Sequence, residues 1–161
     1  MRQEMTHFDQ EGNARMVDVS DKDVTKRTAV AEGSIRMSGE AFRAVMEHRI
    51  AKGDVLTVAQ VAGIAGTKRT SDLIPMCHPL ALTGAGITFE TDPEECLIRV
   101  RCTVRTTGRT GVEMEALTGV STALLTIYDM CKAIDRGMRI LDIHLAEKDG
   151  GKSGRYVCGQ T

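Results

Sequence analysis

Between Leu97 and Arg105 the chain alternates without a break. Ile98, Val100, Cys102 and Val104 fall on one side, and Arg99, Arg101 and Arg105 on the other. Successive strand residues point to opposite faces, so a period of two yields a strand with one apolar and one charged face. Such a strand does not suit a parallel sheet covered on both sides; it belongs in an antiparallel sheet with one wet face. Ala85-Gly86-Ile87-Thr88-Phe89-Glu90 is its hairpin partner across the turn Thr91-Asp92-Pro93-Glu94-Glu95. The dry face needs a cover. Leu117, Val120, Leu124, Ile127, Tyr128, Cys131 and Ile134 recur at three and four, which predicts a long helix over about 114–136.

The remaining segments fit around this pair. Arg27 to Met37 alternates weakly, with Ala29, Ala31, Ile35 and Met37 on one side. Ser38 then caps a helix striped by Phe42, Val45, Met46 and Ile50. Asp54 caps a second helix, carrying Val58, Val61, Ala62 and Ala65, and a last strand over 138–147 places Leu141, Ile143 and Leu145 on one face. The order is strand, helices, hairpin, helix, strand. It predicts an α+β, ferredoxin-like fold: a four-stranded antiparallel sheet with helices packed on one face. A single domain is expected over 25–154, after an extended arm over 1–24 and before a tail over 155–161. Met16-Val17-Asp18-Val19-Ser20 is the only alternating piece of the arm.

Composition narrows the function. A chain of 161 residues supports one core. A net charge of −1 gives no global field toward nucleic acid or anionic membrane, so a bound anion must be met by a local cluster of cations. Aromatic residues are 3% of the chain, too few for the stacking platform of an RNA-binding sheet, the leading non-catalytic alternative beside a nucleotide-sensing module. Five cysteines without a C-x-x-C pair argue for reduced thiols in a cytoplasmic protein, and no metal-binding motif is present. No apolar run is long enough to span a membrane.

Three groups carry potential chemistry. Pro75 and Pro79 bracket Met76-Cys77-His78, which reads either as a stiff extended strut with Cys77 and His78 on opposite sides or as a turn leading into a strand, with Cys77 a small buried hydrophobe. Asp129 and Lys132 are neighbours on the long helix, on a flank shared with Leu125, which fits either a partly desolvated acid–base pair or an ordinary surface ion pair. Glu113 and Glu115 stand at that helix's N-terminus, where the dipole favours carboxylates. Cations gather at element ends: Arg27, Lys52, Lys68-Arg69, Lys148 and Lys152. Gly150-Gly151-Lys152-Ser153 imitates the end of a phosphate loop, but Ala146 replaces its first glycine and no helix is expected to follow.

Taken jointly, these segments resemble the cyclic pyranopterin monophosphate synthase (MoaC) family of molybdenum cofactor biosynthesis. The resemblance runs through Met16–Ser20, Lys52-Gly53-Asp54, Ala62-Gly63-Ile64, Lys68-Arg69-Thr70 and Asp72-Leu73-Ile74-Pro75. It continues in Cys77-His78-Pro79-Leu80, residues 110–118, residues 125–133 and Gly150-Gly151-Lys152-Ser153-Gly154. It implies a ferredoxin-like lyase that converts cyclo-7,8-dihydroguanosine 5'-triphosphate, the product of a preceding radical enzyme, to cyclic pyranopterin monophosphate with release of pyrophosphate. It further implies a homohexamer, a trimer of dimers with sites between subunits, no protein-bound cofactor, and magnesium only as a companion of the triphosphate. By matching position, Asp129 is the implied catalytic acid/base and Lys52 and Lys132 the two essential lysines. Met76, Cys77, His78, Met114 and Glu115 are implied substrate contacts, with Arg27, Lys68, Lys148 and Glu113 as further site residues. Met76 stands where leucine is common, a swap of similar volume.

Overall fold

The strand over 97–105 extends to Leu97–Gly108 and keeps its alternation: Ile98, Val100, Cys102 and Val104 are at most 1% exposed, while Arg99, Arg101 and Arg105 are exposed. The structure, a computed structural model, describes residue 9 and residues 11–160. Residues 1–8 and 10 of the expected arm, and Thr161 of the expected tail, lie outside the described residues. In chain order the elements are β1 (Thr25–Arg36), α1 (Gly39–Met46), α2 (Val55–Thr67), α3 (Thr70–Leu73) and β2 (Leu82–Asp92). They are followed by β3 (Leu97–Gly108), α4 (Glu113–Cys131), β4 (Arg139–Asp149) and β5 (Tyr156–Val157).

All strand pairs are antiparallel, in the order β2-β3-β1-β4-β5. The expected four-stranded sheet is therefore corrected to five strands among the described residues. The fifth is two residues from the segment read as a tail, paired as Glu147↔Val157 and Lys148↔Tyr156. Two residues are too short to show a period, so sequence pattern passes over them.

Helix α4 lies across β1, β3 and β4, and α2 lies beside it over β2. Leu124, Ile127 and Val120 of α4 are fully buried, each such aliphatic side chain worth about 1.5–3 kcal/mol in transfer from water. Ser38 and Asp54 cap α1 and α2 as expected, accepting from the N–H groups of Ala41 and Thr57, both at 3.2 Å. The α2 stripe does not face the core. Val58 and Val61 are 41% and 63% exposed, and α2 instead buries Val55, Ala59, Gly63 and Gly66. The reason is close helix packing: a Cβ on Gly63 would stand 3.0 Å from the carbonyl oxygen of Gly119, and one on Gly66 would collide with the Thr122 side chain. The glycine side of α2 approaches α4 more closely than its valine side could.

Two boundaries also move. Helix α4 ends at Cys131, not near Arg136, leaving Ile134 outside the helix and 40% exposed. In β4 the register slips opposite Glu32–Ser34, where Asp142 takes φ 55°. Ile140 pairs with Ile35 and Leu145 with Ala31 on the helix side, while Leu141 pairs with Ser34 and turns to the opposite face from Ile143 and Leu145. A bulge inserts a residue and so breaks strict alternation.

Candidate functional site

The first group of reactive side chains forms at the C-terminal end of α4. Between α1 and α2 the chain turns through left-handed backbone at His48 (φ 54°) and Gly53 (φ 110°), with Ile50 buried between them. This turn carries Lys52 to Asp129, 77 positions away. Its Nζ donates to the Asp129 carboxylate and to the Asp129 carbonyl, both at 3.0 Å. Lys132 Nζ donates to the other carboxylate oxygen at 2.6 Å. The two lysines, Lys132 foremost, hold the Asp129 carboxyl below its ordinary pKa. Desolvation is not the means: the three side chains are 52–56% exposed. Of the two readings of this pair, the surface ion pair is the one observed within a single chain, and Leu125 on the same flank is itself 60% exposed.

The second group forms at the opposite end of α4. A cavity of about 280 Å³ is lined by Met76, Cys77, His78 and Leu80, by Glu113, Met114 and Glu115, and by Val17, Val19 and Lys22 of the arm. The Pro-bracketed strut is corrected here. Ile74 is extended, but Pro75-Met76 turn, closed by the Cys77 N–H on the Ile74 carbonyl at 3.1 Å. With a turn in place of a straight run, Cys77 and His78 line the same cavity. Glu115 is 5% exposed, and burial pushes its carboxyl upward, with Glu113 adding to the shift. Burial, followed by the charge of Glu115, also raises the Cys77 thiol, which disfavours the nucleophilic thiolate.

A third hollow, of about 450 Å³, adjoins the second and shares Lys22, Thr110 and Gly111 with it. Arg27 enters it from β1; its Nη groups donate to the carbonyls of Gly150 at 3.5 Å and Arg109 at 3.4 Å. Lys148 lies beside it, 3.4 Å from Glu113 and donating to Ser153 Oγ at 2.8 Å. Lys68 is different. It is exposed at the end of α2 and lines neither cavity.

The expected residues, Lys68 apart, therefore fall into two sets. From Glu115 to Asp129 the helix rises about 21 Å, so one chain does not bring His78 and Glu115 to Asp129, Lys52 and Lys132. Sequence reading missed Val17, Val19, Lys22, Arg109 and Thr110 as lining residues. The alternation of Met16–Ser20 was a signal for two of them: Val17 and Val19 are the half-buried members of that run. Among the described residues no group of three His, Cys, Asp or Glu could hold a metal ion, and no helix is long and apolar enough to cross a membrane.

Comparison with known proteins places a MoaC family model on residues 16–151. The chain is 59% identical over 153 residues to the cyclic pyranopterin monophosphate synthase of Heliobacterium modesticaldum, covering 95% of this chain and 96% of that protein. It is 61% identical over 152 residues to the protein of the same name from a Thermoanaerobacter species, covering 94% and 96%. The Rhodospirillum rubrum protein of that name is 57% identical over 153 residues, covering 95% of this chain and 92% of its own length.

Proposed function

The chain belongs to the MoaC family, and from that premise we propose that it is a cyclic pyranopterin monophosphate synthase. It is a lyase that converts cyclo-7,8-dihydroguanosine 5'-triphosphate to cyclic pyranopterin monophosphate in molybdenum cofactor biosynthesis, releasing pyrophosphate. The observation that carries this reading is the junction of Lys52, Asp129 and Lys132, two amines on one carboxylate drawn from distant parts of the chain.

The chemistry asks for proton carriers and for cations. Opening and rebuilding the ring system moves protons on and off nitrogen and oxygen. Lys132 and Lys52 serve as acid and base, held in place by the ionised Asp129 between them. A hydroxyl of the substrate then attacks the innermost phosphorus. The new P–O bond closes the cyclic phosphate as the P–O bond to the next phosphate breaks, and the hydroxyl proton passes to the base. Pyrophosphate leaves with the bonding electrons, and cations steady its charge. The triphosphate brings about four negative charges, and Arg27, Lys148 and Lys68 meet them. His78, Glu115, Cys77, Met76 and Met114 seat the ring end, with Glu113 holding Lys148. Any magnesium enters on the triphosphate, not on protein ligands.

Because Asp129 lies at one end of α4 and His78 lines the cavity at the other, we read the working site as one completed by a second copy. The Asp129 end of one protomer meets the His78 end of its neighbour in a homohexamer built as a trimer of dimers. This arrangement also gives the exposed Leu125, and Lys68, a place beside substrate or partner. We assign the enzyme to the cytoplasm, downstream of the radical enzyme that makes its substrate. Supplying the cyclised triphosphate to the wild type and to Lys132→Ala, with pyrophosphate as the readout, tests the reading. Release by the wild type and loss of about 10²–10⁴-fold in the variant are expected; equal release by both refutes the role of Lys132.

A further inference from the structure

We propose that Asp135 is a positioning residue for the reaction: its carboxylate closes a ring of contacts that holds Lys52 and Lys132 on Asp129. This role deepens the reading just given and rests on it, because Asp135 acts only through the two lysines.

Helix ends fray, and Asp129 and Lys132 stand in the last turn and at the C-cap of α4. Beyond them the chain folds back on itself. The N–H groups of Ile134 and Asp135 both donate to the carbonyl of the buried Cys131, at 2.9 and 3.1 Å, and the Tyr128 hydroxyl donates to the Arg136 carbonyl at 2.9 Å. This turn delivers Asp135 to the start of α1, 97 positions away, where one carboxylate oxygen accepts from the Ser38 N–H at 2.7 Å. The other oxygen accepts from the Gly137 N–H at 2.8 Å, so the carboxylate is fixed on both sides.

The sequence of α1 leaves this contact to be made from outside. Ser38 caps the helix through its side chain, and the usual return bond to a cap's own N–H comes from Glu or Gln three residues on. That position is Ala41, fully buried and without an acceptor to offer. Asp135 supplies the missing half from a distant part of the chain, and its negative charge suits the positive end of the α1 dipole.

A cap alone would only stabilise the helix. What ties this one to the reaction is where α1 leads. Its eight residues span about 12 Å. The turn that follows, closed by the Gly53 N–H on the Ile50 carbonyl at 3.0 Å, carries Lys52. The segment 38–52 therefore meets the end of α4 twice, at Asp135 through Ser38 and at Asp129 through Lys52. Phe42 and Val45 anchor the body of α1 in the core, but α1 has little direct packing against α4. An ion pair as exposed as Lys52–Asp129 holds two segments together weakly. The spacing that lets two amines share one carboxylate is set instead by the contact at Asp135.

The test is turnover of the cyclised triphosphate, read as pyrophosphate and normalised to folded protein by melting curves. The variants are Asp135→Ala, Asp135→Asn, Ser38→Ala, Ser38→Pro and Arg136→Ala. Ser38 has φ −65°, which proline adopts, so Ser38→Pro removes the N–H together with the hydroxyl, whereas Ser38→Ala removes the hydroxyl alone. Arg136 gives these contacts only its backbone carbonyl. In Asp135→Ala and Ser38→Pro, kcat should fall about ten- to a hundredfold while KM stays within about twofold, as for misplaced proton carriers in an intact binding site. Asp135→Asn, whose amide oxygen still accepts from Ser38, should recover most of kcat, and Ser38→Ala and Arg136→Ala should match the wild type. A wild-type kcat in Asp135→Ala, or equal losses in Ser38→Ala and Ser38→Pro, overturns the inference; if Asp135→Ala does not fold, the Ser38 pair decides. Variants that all equal an active wild type refute Asp135 alone. A wild type without turnover, or wild-type turnover in Lys132→Ala, refutes the reading beneath it and takes the role of Asp135 with it.

Discussion

If each working site draws Asp129, Lys52 and Lys132 from one chain and His78 and Glu115 from another, two inactive proteins should repair each other. The perturbation pairs Lys132→Ala with His78→Ala, each inactive alone, mixed in equal amounts by co-expression or by unfolding and refolding together. The roughly 21 Å along α4 keeps either chain from supplying both ends of a site by itself. In a random mixture a site is intact when its Asp129 end comes from the His78→Ala chain and its His78 end from the Lys132→Ala chain. Each condition holds for half the chains, so about a quarter of the sites in a closed symmetric assembly are wild type. Pyrophosphate release per protomer should therefore recover to about a quarter of the wild-type rate. Mixing folded homomers without exchange should recover nothing. Activity that stays at the level of the single variants after verified exchange refutes a site shared between chains.

Other consequences are nearer to one residue. In Gly63→Ala the added Cβ would stand 2.9 Å from a movable Ile87 methyl but 3.0 Å from the fixed carbonyl oxygen of Gly119. Overpacking of about 1–3 kcal/mol should outweigh the helix-propensity gain of about 1 kcal/mol, lowering the urea midpoint, and a raised midpoint contradicts the close crossing. Glu115 has a raised native pKa, so as pH climbs from the ordinary value of about 4.3 through the native one, the folded state holds more protons than the unfolded and stability falls. Glu115→Gln should flatten that decline in a melting-temperature profile; an unchanged slope removes Glu115 as its source. Cys77→Ala should keep turnover within about tenfold, since a thiol pushed upward by burial is a poor nucleophile, and complete loss with normal substrate binding reinstates it.

What the chain reveals unaided follows from local pattern. The alternation of Ile98–Val104 and the three-and-four recurrence of Val120, Leu124 and Ile127 are periods that any backbone must honour, so the hairpin, the long helix and the caps Ser38 and Asp54 are legible without coordinates. The Asp129–Lys132 contact is legible too, because a helix brings residues three apart together. Where the pattern is too short or is deliberately broken, reading fails. Tyr156-Val157 is a strand only because β4 offers an edge, and Leu141 changes face only because a bulge at Asp142 shifts the count. In α2 the valines lose the core to Gly63 and Gly66, since closeness of approach to α4 is a property of two helices and not of one.

The site divides in the same way. Residue types that can move protons or meet phosphate are visible one by one along the chain. That Lys52 reaches Asp129 across 77 positions, that Lys22 and Val17 of the arm wall the cavity of His78, and that Arg27 meets the Gly151 turn are decided by how strands and helices pack. Side-chain periodicity is written in a segment; the meeting of distant segments is set by the one packing that buries their apolar faces together.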